Sequence, residues 1–205
     1  MRGLDNNNPL NIRHSADHWQ GARTEQTDPS FVQFESLAYG YRAVWKILDT
    51  YCLRFRRERI AYNVCNIIHR WAPPSENDTR AYIRHVLTLT GLGGYENIPR
   101  PYRNREFYRL ERTMLLIAAM TCVENGIRME QVDMQAIWDG YDLAYPGKRK
   151  DDRPPEDQSQ YSSIPVRLNQ PCRKWGHHSF FPRTLPYRQE HTQAFPQPED
   201  CRCLR

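Results

Sequence analysis

No stretch of this 205-residue chain is apolar for more than seven residues; the longest runs from Met114 to Met120. A membrane-spanning helix needs about 20 such residues, so none is expected. An apolar leader is also missing. Met1-Arg2-Gly3 runs straight into polar residues, so we expect a chain made in the cytoplasm without a signal peptide, which would need another means of delivery to act outside. There is no G-x-S-x-G, no Walker A, no H-E-x-x-H and no Cys–His nucleophile signature, which removes the usual hydrolase, nucleotide and zinc-protease readings. Cysteine offers little. Cys52, Cys65 and Cys122 sit among helical apolar residues and read as small core hydrophobes. Cys201-x-Cys203 is too tight and too isolated for zinc. His14, Asp17 and His18 form an H-x-x-D-H string, but its third ligand is weakly specified and a surface turn is the simpler reading. Neither a metal nor an organic cofactor is implied. Strand-rich stretches and internal repeats are absent too.

Charge and helical periodicity are what the chain does contain. Hydrophobic residues make up 39% and charged residues 26%, with a formal net charge of +5 in which arginine dominates. Nucleic acid, an anionic glycan or an acidic protein would each suit that balance. The nucleic-acid reading ranks last. It rests on clusters such as Arg54, Arg56, Arg57 and Arg59, which the dipole at a helix C-terminus already explains.

From Ser36 the pattern turns helical. Leu37, Tyr41, Val44, Leu48 and Tyr51 recur at spacings of three and four, with Ser36 as N-cap. Ile60, Val64, Ile67, Ile68 and Trp71 predict a second helix that stops at Ala72-Pro73-Pro74. Residues Ser75 to Thr79 offer capping groups for a third, carried by Tyr82, Val86 and Leu89 and ended by Gly91. A fourth runs from about Asn104 to Asn125, with Phe107, Leu110, Met114, Ile117 and Met120 as its buried stripe. A fifth spans about Glu130 to Ala144. From Pro146 onward the composition changes: nine of the fifteen prolines fall there, among many Arg, Gln and Asp. We therefore expect a mainly α domain over 1–145 and an irregular Pro/Arg-rich extension over 146–205.

Two carboxylates stand out. Glu124 lies seven residues after Ile117 on the apolar stripe, in the last helical turn. Burial and the dipole both favour its neutral form there, which suits a general acid. The competing reading is a Glu rolled to the helix edge, or paired with an arginine. Glu76 sits before a helix on a loop stiffened by Pro73 and Pro74. It suits a base or an electrostatic stabiliser, or simply a first-turn acid; Asn77 and Thr79 could cap the same helix. The run Asn6-Asn7-Asn8-Pro9-Leu10-Asn11-Ile12-Arg13 holds four asparagines and a proline, and reads as an ordered polar loop. Amides bind sugar hydroxyl and N-acetyl groups, and aromatic faces pack on sugar rings. The loop, Trp19, Trp71 and Tyr82 would therefore suit a carbohydrate; core packing is the alternative for the tryptophans.

The opening Arg2-Gly3-Leu4 with Asn6-Asn7-Asn8-Pro9 and Asn11-Ile12-Arg13 resembles a family of small phage and prophage virion structural proteins, related to lysozyme-like peptidoglycan-degrading proteins. The likeness continues in Trp19-Gln20-Gly21, Phe31-x-x-Phe34 and Tyr39-Gly40-Tyr41-Arg42-Ala43. It is strong in Arg70-Trp71-Ala72-Pro73-Pro74-Ser75-Glu76-Asn77-Asp78-Thr79 with Tyr82, and reaches Glu124-Asn125-Gly126. The family pattern has glycine after the proline where this chain has Leu10. Glycine there would permit positive φ, so Leu10 is expected to take another backbone geometry or to strain the loop.

Residues Leu115 to Gly126 also look like the helix end that carries the catalytic Glu of lytic transglycosylases and related glucosaminidases. In some of those enzymes an Asn-rich strip follows; here it comes first, as in a circular permutation. The resemblance implies a lysozyme-like helical domain that cleaves β-1,4 glycan bonds of peptidoglycan, as a lytic transglycosylase or muramidase. Glu124 would be the acid, and the second role would fall to the substrate's N-acetyl group or to Glu76. Asn7, Asn8, Asn11, Arg13, Trp19, Asn77 and Tyr82 would hold the sugar. The alternative is a non-catalytic virion component that binds glycan, or other virion proteins through its tail.

Overall fold

The computed structural model describes residues 2–98 and 107–146, without the side chains of 107–109. Its elements are α1 (Arg2–Asp5), α2 (Leu37–Glu58), α3 (Val64–Trp71), α4 (Thr79–Thr90), α5 (Phe107–Asn125), a 3-10 turn (Met129–Gln131) and α6 (Met134–Ala144). The chain is mainly α, and among the described residues only isolated β-bridges occur: Arg13 with Phe31, Ala22 with Phe34, and Asn63 with Asn97. The expected extension from 146 onward lies outside the described residues, apart from Pro146.

Helix α5 is the axis of the core. Leu116, Ile117, Ala118, Ala119, Met120, Thr121 and Cys122 are all fully buried. The expected single stripe is therefore too narrow a description. A helix apolar on every side is enclosed on every side, and α1, α4, α6 and the 3-10 turn all contact α5. Its carboxyl end carries Glu124, half-buried, where polar groups first meet the surface.

The caps explain where the other helices begin. The second predicted helix starts four residues later than Ile60. Asn63 is its N-cap, accepting from Asn66 N at 2.9 Å, and the segment before it is extended, with Ile98 N bonded to Tyr62 O. Asp78, rather than an earlier residue of the 75–79 run, caps α4 by accepting from Ala81 N at 3.0 Å. Asp133 does the same for α6 through Ala136 N at 2.9 Å, which splits the expected fifth helix into a 3-10 turn and α6. Ser36 precedes α2 as predicted, but its side chain makes no capping bond.

The most extensive helix pairing is α2 on α6. Trp45 Nε1 donates to Ile137 O at 2.9 Å, and the Trp45 and Tyr141 rings meet edge to face at 5.0 Å. Gly140 makes the approach possible: a Cβ there would stand 2.7 Å from Tyr41 Cβ and 2.8 Å from Arg42 N.

Candidate functional site

The four asparagines of the N-terminal loop are spent mainly on holding the loop together. Asn8 is fully buried. Its Nδ2 donates to Ile12 O at 2.9 Å and Val32 O at 2.8 Å, and its Oδ1 accepts from Ile12 N at 2.8 Å. Asn7 donates to Phe34 O at 3.1 Å. Asn6 donates to Asp28 and accepts from Gln33 Nε2. Asn7 and Asn11 have φ of 52° and 53°, the left-handed region that Asn tolerates better than other non-glycine residues. Leu10 needs no such geometry. Its φ is not positive, and it is 1% exposed, wedged into the core. The two asparagines supply the turns on either side of it, so the leucine anchors the loop without straining it.

Asp28 is the hub that fastens this loop. It accepts from Arg2 Nε and a terminal guanidinium nitrogen, from Asn6, and from the backbone N–H of Ser30 and Phe31, all within 3.1 Å. The Arg2 guanidinium and the other donors hold its carboxyl far below the usual carboxylate range.

The loop is then clamped onto the end of α5. Asn125 donates to Pro9 O at 2.7 Å and to Thr121 O at 3.0 Å. Asn11 Nδ2 donates to Glu124 Oε2 at 3.0 Å. Two further donors reach the other oxygen: Tyr82 OH at 3.0 Å and Trp71 Nε1 at 3.2 Å, both to Oε1. Burial and the nearby Glu124 carboxylate push the Tyr82 phenol well above its ordinary value, so it remains a donor across the neutral range. One acid thus gathers a residue from the N-terminal loop, one from the end of α3 and one from α4.

Glu124 opens into a cleft of about 380 Å³. Asn11, Arg13, Glu76 and Asn77 line it together with Glu124. Tyr82 reaches it through Glu124. Asn7 and Asn8 are not among the lining residues; their side chains serve the loop's own backbone. Trp19 does not line it either, and its indole N–H is buried without a hydrogen-bond partner among the described residues. Trp71, Tyr51, Phe31 and Ile47 complete the apolar part of the walls. Tyr51 and Ile47 belong to α2, where the helical stripe is read as core; they are half-buried because α2 runs along the edge of the cleft. The sequence reading gives Asn125 no role of its own, although it clamps the loop to α5. Its place beside Glu124 and before Gly126 was its only signal. His14, from the H-x-x-D-H string, pairs its ring Nε2 with Asp28 O at 2.9 Å.

No protein-family profile matches the chain. Protein P5 of Pseudoalteromonas phage PM2 is 41% identical to it over 129 residues, covering 61% of this chain and 71% of that protein.

Proposed function

This chain belongs to the family of Protein P5 of Pseudoalteromonas phage PM2, and from that premise we propose that it is a virion-associated phage protein that cleaves β-1,4 glycan bonds of peptidoglycan. The observation that carries the reading is the Glu124 carboxylate, set at the end of a buried helix, oriented by three donors and open to a cleft with aromatic and amide walls. An acid so placed could be presented to a sugar chain, which supports the reading. The two domains are proposed as 1–145 for the catalytic fold and 146–205 for a tether to other virion proteins.

Glu124 protonates the glycosidic oxygen as the bond to C1 breaks. Oε1 already accepts from both Trp71 and Tyr82, while Oε2 accepts from Asn11 alone. Oε2 is therefore the oxygen with room for the transferable proton. The oxocarbenium-like centre left behind is stabilised by the substrate's N-acetyl oxygen or by Glu76, which shares the cleft; water, or the sugar's own C6 hydroxyl, then bonds to C1 and its proton returns to Glu124. Asn11, Arg13 and Asn77 contact the sugar substituents, and Trp71 and Tyr51 provide ring faces.

Zymography on purified peptidoglycan tests this with wild type beside Glu124→Gln and Glu76→Gln. Wild type clears the gel between pH 5 and 8, and Glu124→Gln does not. Clearing by Glu124→Gln but not by Glu76→Gln would reverse the roles.

A second reading has its own observation. Glu124 and Asn125 together bind Asn11 and Pro9, so the acid also acts as a clamp for the loop. A virion protein that keeps the fold and binds glycan without cutting it would retain this clamp. It would pull down with insoluble peptidoglycan and leave the zymogram dark.

A further inference from the structure

Resting on the glycan-cleaving or glycan-binding reading of the same cleft, we infer that Arg13 is a specificity-determining residue. It receives a carboxylate carried by the substrate sugars, so the cleft prefers an acidic N-acetylated glycan over an uncharged one.

Among the described residues that line the cleft, Arg13 is the only cation, against the acids Glu76 and Glu124. It is exposed, and none of the ion pairs among the described residues uses it. Arg2 makes the contrast. Both guanidinium groups lie over the Phe31 ring, Arg2 at 4.7 Å and Arg13 at 5.7 Å. Arg2 is neutralised by a two-point bond to Asp28. Arg13 shares that aromatic support from farther away and is paired with no acid among the described residues.

The backbone that carries it is fixed: Arg13 bridges to Phe31, and its neighbour Ile12 is bonded on both sides by the buried Asn8 side chain. A guanidinium at the end of this anchored stem offers a planar pair of donors matched to a carboxylate. Glu76 repels such a group elsewhere in the cleft, so the charge pattern also orients the substrate. Sugar rings that bear a lactyl ether or a lactyl-linked peptide carry this group; plain N-acetylglucosamine chains do not.

The experiment measures binding by the full-length chain through tryptophan fluorescence, with Trp71 in the cleft as reporter. The two probes are soluble peptidoglycan glycan strands and chitohexaose. Both are titrated into wild type, Arg13→Gln and Arg13→Lys. We expect wild type to bind the acidic strands at least about tenfold more tightly than chitohexaose, the size expected of one charge-assisted hydrogen-bonded pair. Arg13→Gln weakens the acidic strands more than chitohexaose and so removes that difference; Arg13→Lys restores part of it. Equal affinities for the two probes in wild type, or equal losses for both in Arg13→Gln, overturn the assignment and leave the glycan cleft standing. Binding of neither probe by wild type overturns the glycan reading itself and the inference with it.

Discussion

Asn11 donates its carboxamide N–H to Glu124 Oε2 at 3.0 Å, joining the N-terminal loop to the last turn of α5 across 113 residues of sequence. The bond couples the loop's stability to the carboxylate that faces the cleft. Deleting either partner leaves the other short of a contact. Asn11→Ala and Glu124→Gln are each expected to lower unfolding free energy by about 1–3 kcal/mol, with a coupling of about 1 kcal/mol in the double variant. Urea unfolding of the four proteins measures the cycle. Additive losses would mean that the bond does not join the two elements energetically.

Tyr82 is buried and spends its hydroxyl on Glu124. Replacing it with Phe removes a donor to an acid while preserving the ring, and should cost about 1.5–3 kcal/mol. Peptidoglycan clearance should fall with it, because Oε1 keeps only Trp71. The phenol also predicts an alkaline limit. Its folded value lies above its unfolded value, so its contribution is complete below about pH 10 and is lost as pH rises through the folded value. The stability gap between wild type and Tyr82→Phe should therefore be constant from neutral pH to about pH 10 and close above it.

Asp28 sets the opposite limit. Its folded value is depressed by Arg2, by Asn6 and by two backbone N–H groups. Its stabilising effect is full well above the ordinary Asp value of about 4 and fades as pH falls below it toward the folded value. Thermal melts of wild type and Asp28→Asn should differ most at neutral pH and converge in acid. A difference that stays constant down to pH 2 would show that the loop is not held by this charge.

Gly40 lies where the loop crosses α2. A Cβ there would stand 2.0 Å from Asn7 O and 2.8 Å from Pro9 Cδ. Gly40→Ala gains up to about 1 kcal/mol in helix propensity. It should nonetheless destabilise the protein by about 1–3 kcal/mol, because the clash involves backbone. Displacing the loop also moves Asn11, so glycan binding should weaken along with Tm. A melting temperature at or above wild type would show that the loop gives way freely.

Leu10 should tolerate shortening poorly. It is 1% exposed, and Leu10→Ala leaves a hole that costs about 2–5 kcal/mol. Leu10→Gly adds chain entropy to the same loss and should melt lower still. Differential scanning calorimetry of the two variants checks the order.

Periodicity and punctuation alone placed the mainly α fold, because spacings of three and four and the breaks at Pro73-Pro74 and Gly91 are local signals. Helix starts were harder to read. Asn63, Asp78 and Asp133 cap through side chains, and several residues near each start could have done so. The candidates Glu124, Glu76, Asn11, Arg13, Asn77 and Tyr82 were legible as polar or aromatic residues in conspicuous places. Their convergence was not, since it depends on the crossing of the loop, α3, α4 and α5. Only the tertiary structure separated Asn11, which turns its amide to Glu124, from Asn7 and Asn8, which look the same in sequence. Asn7 is half-buried like Asn11 but spends its amide on Phe34 O, whereas Asn8 is enclosed. Asn8 sits where unpaired backbone groups of Ile12 and Val32 need partners, and an amide enclosed among them has no donor left for the cleft.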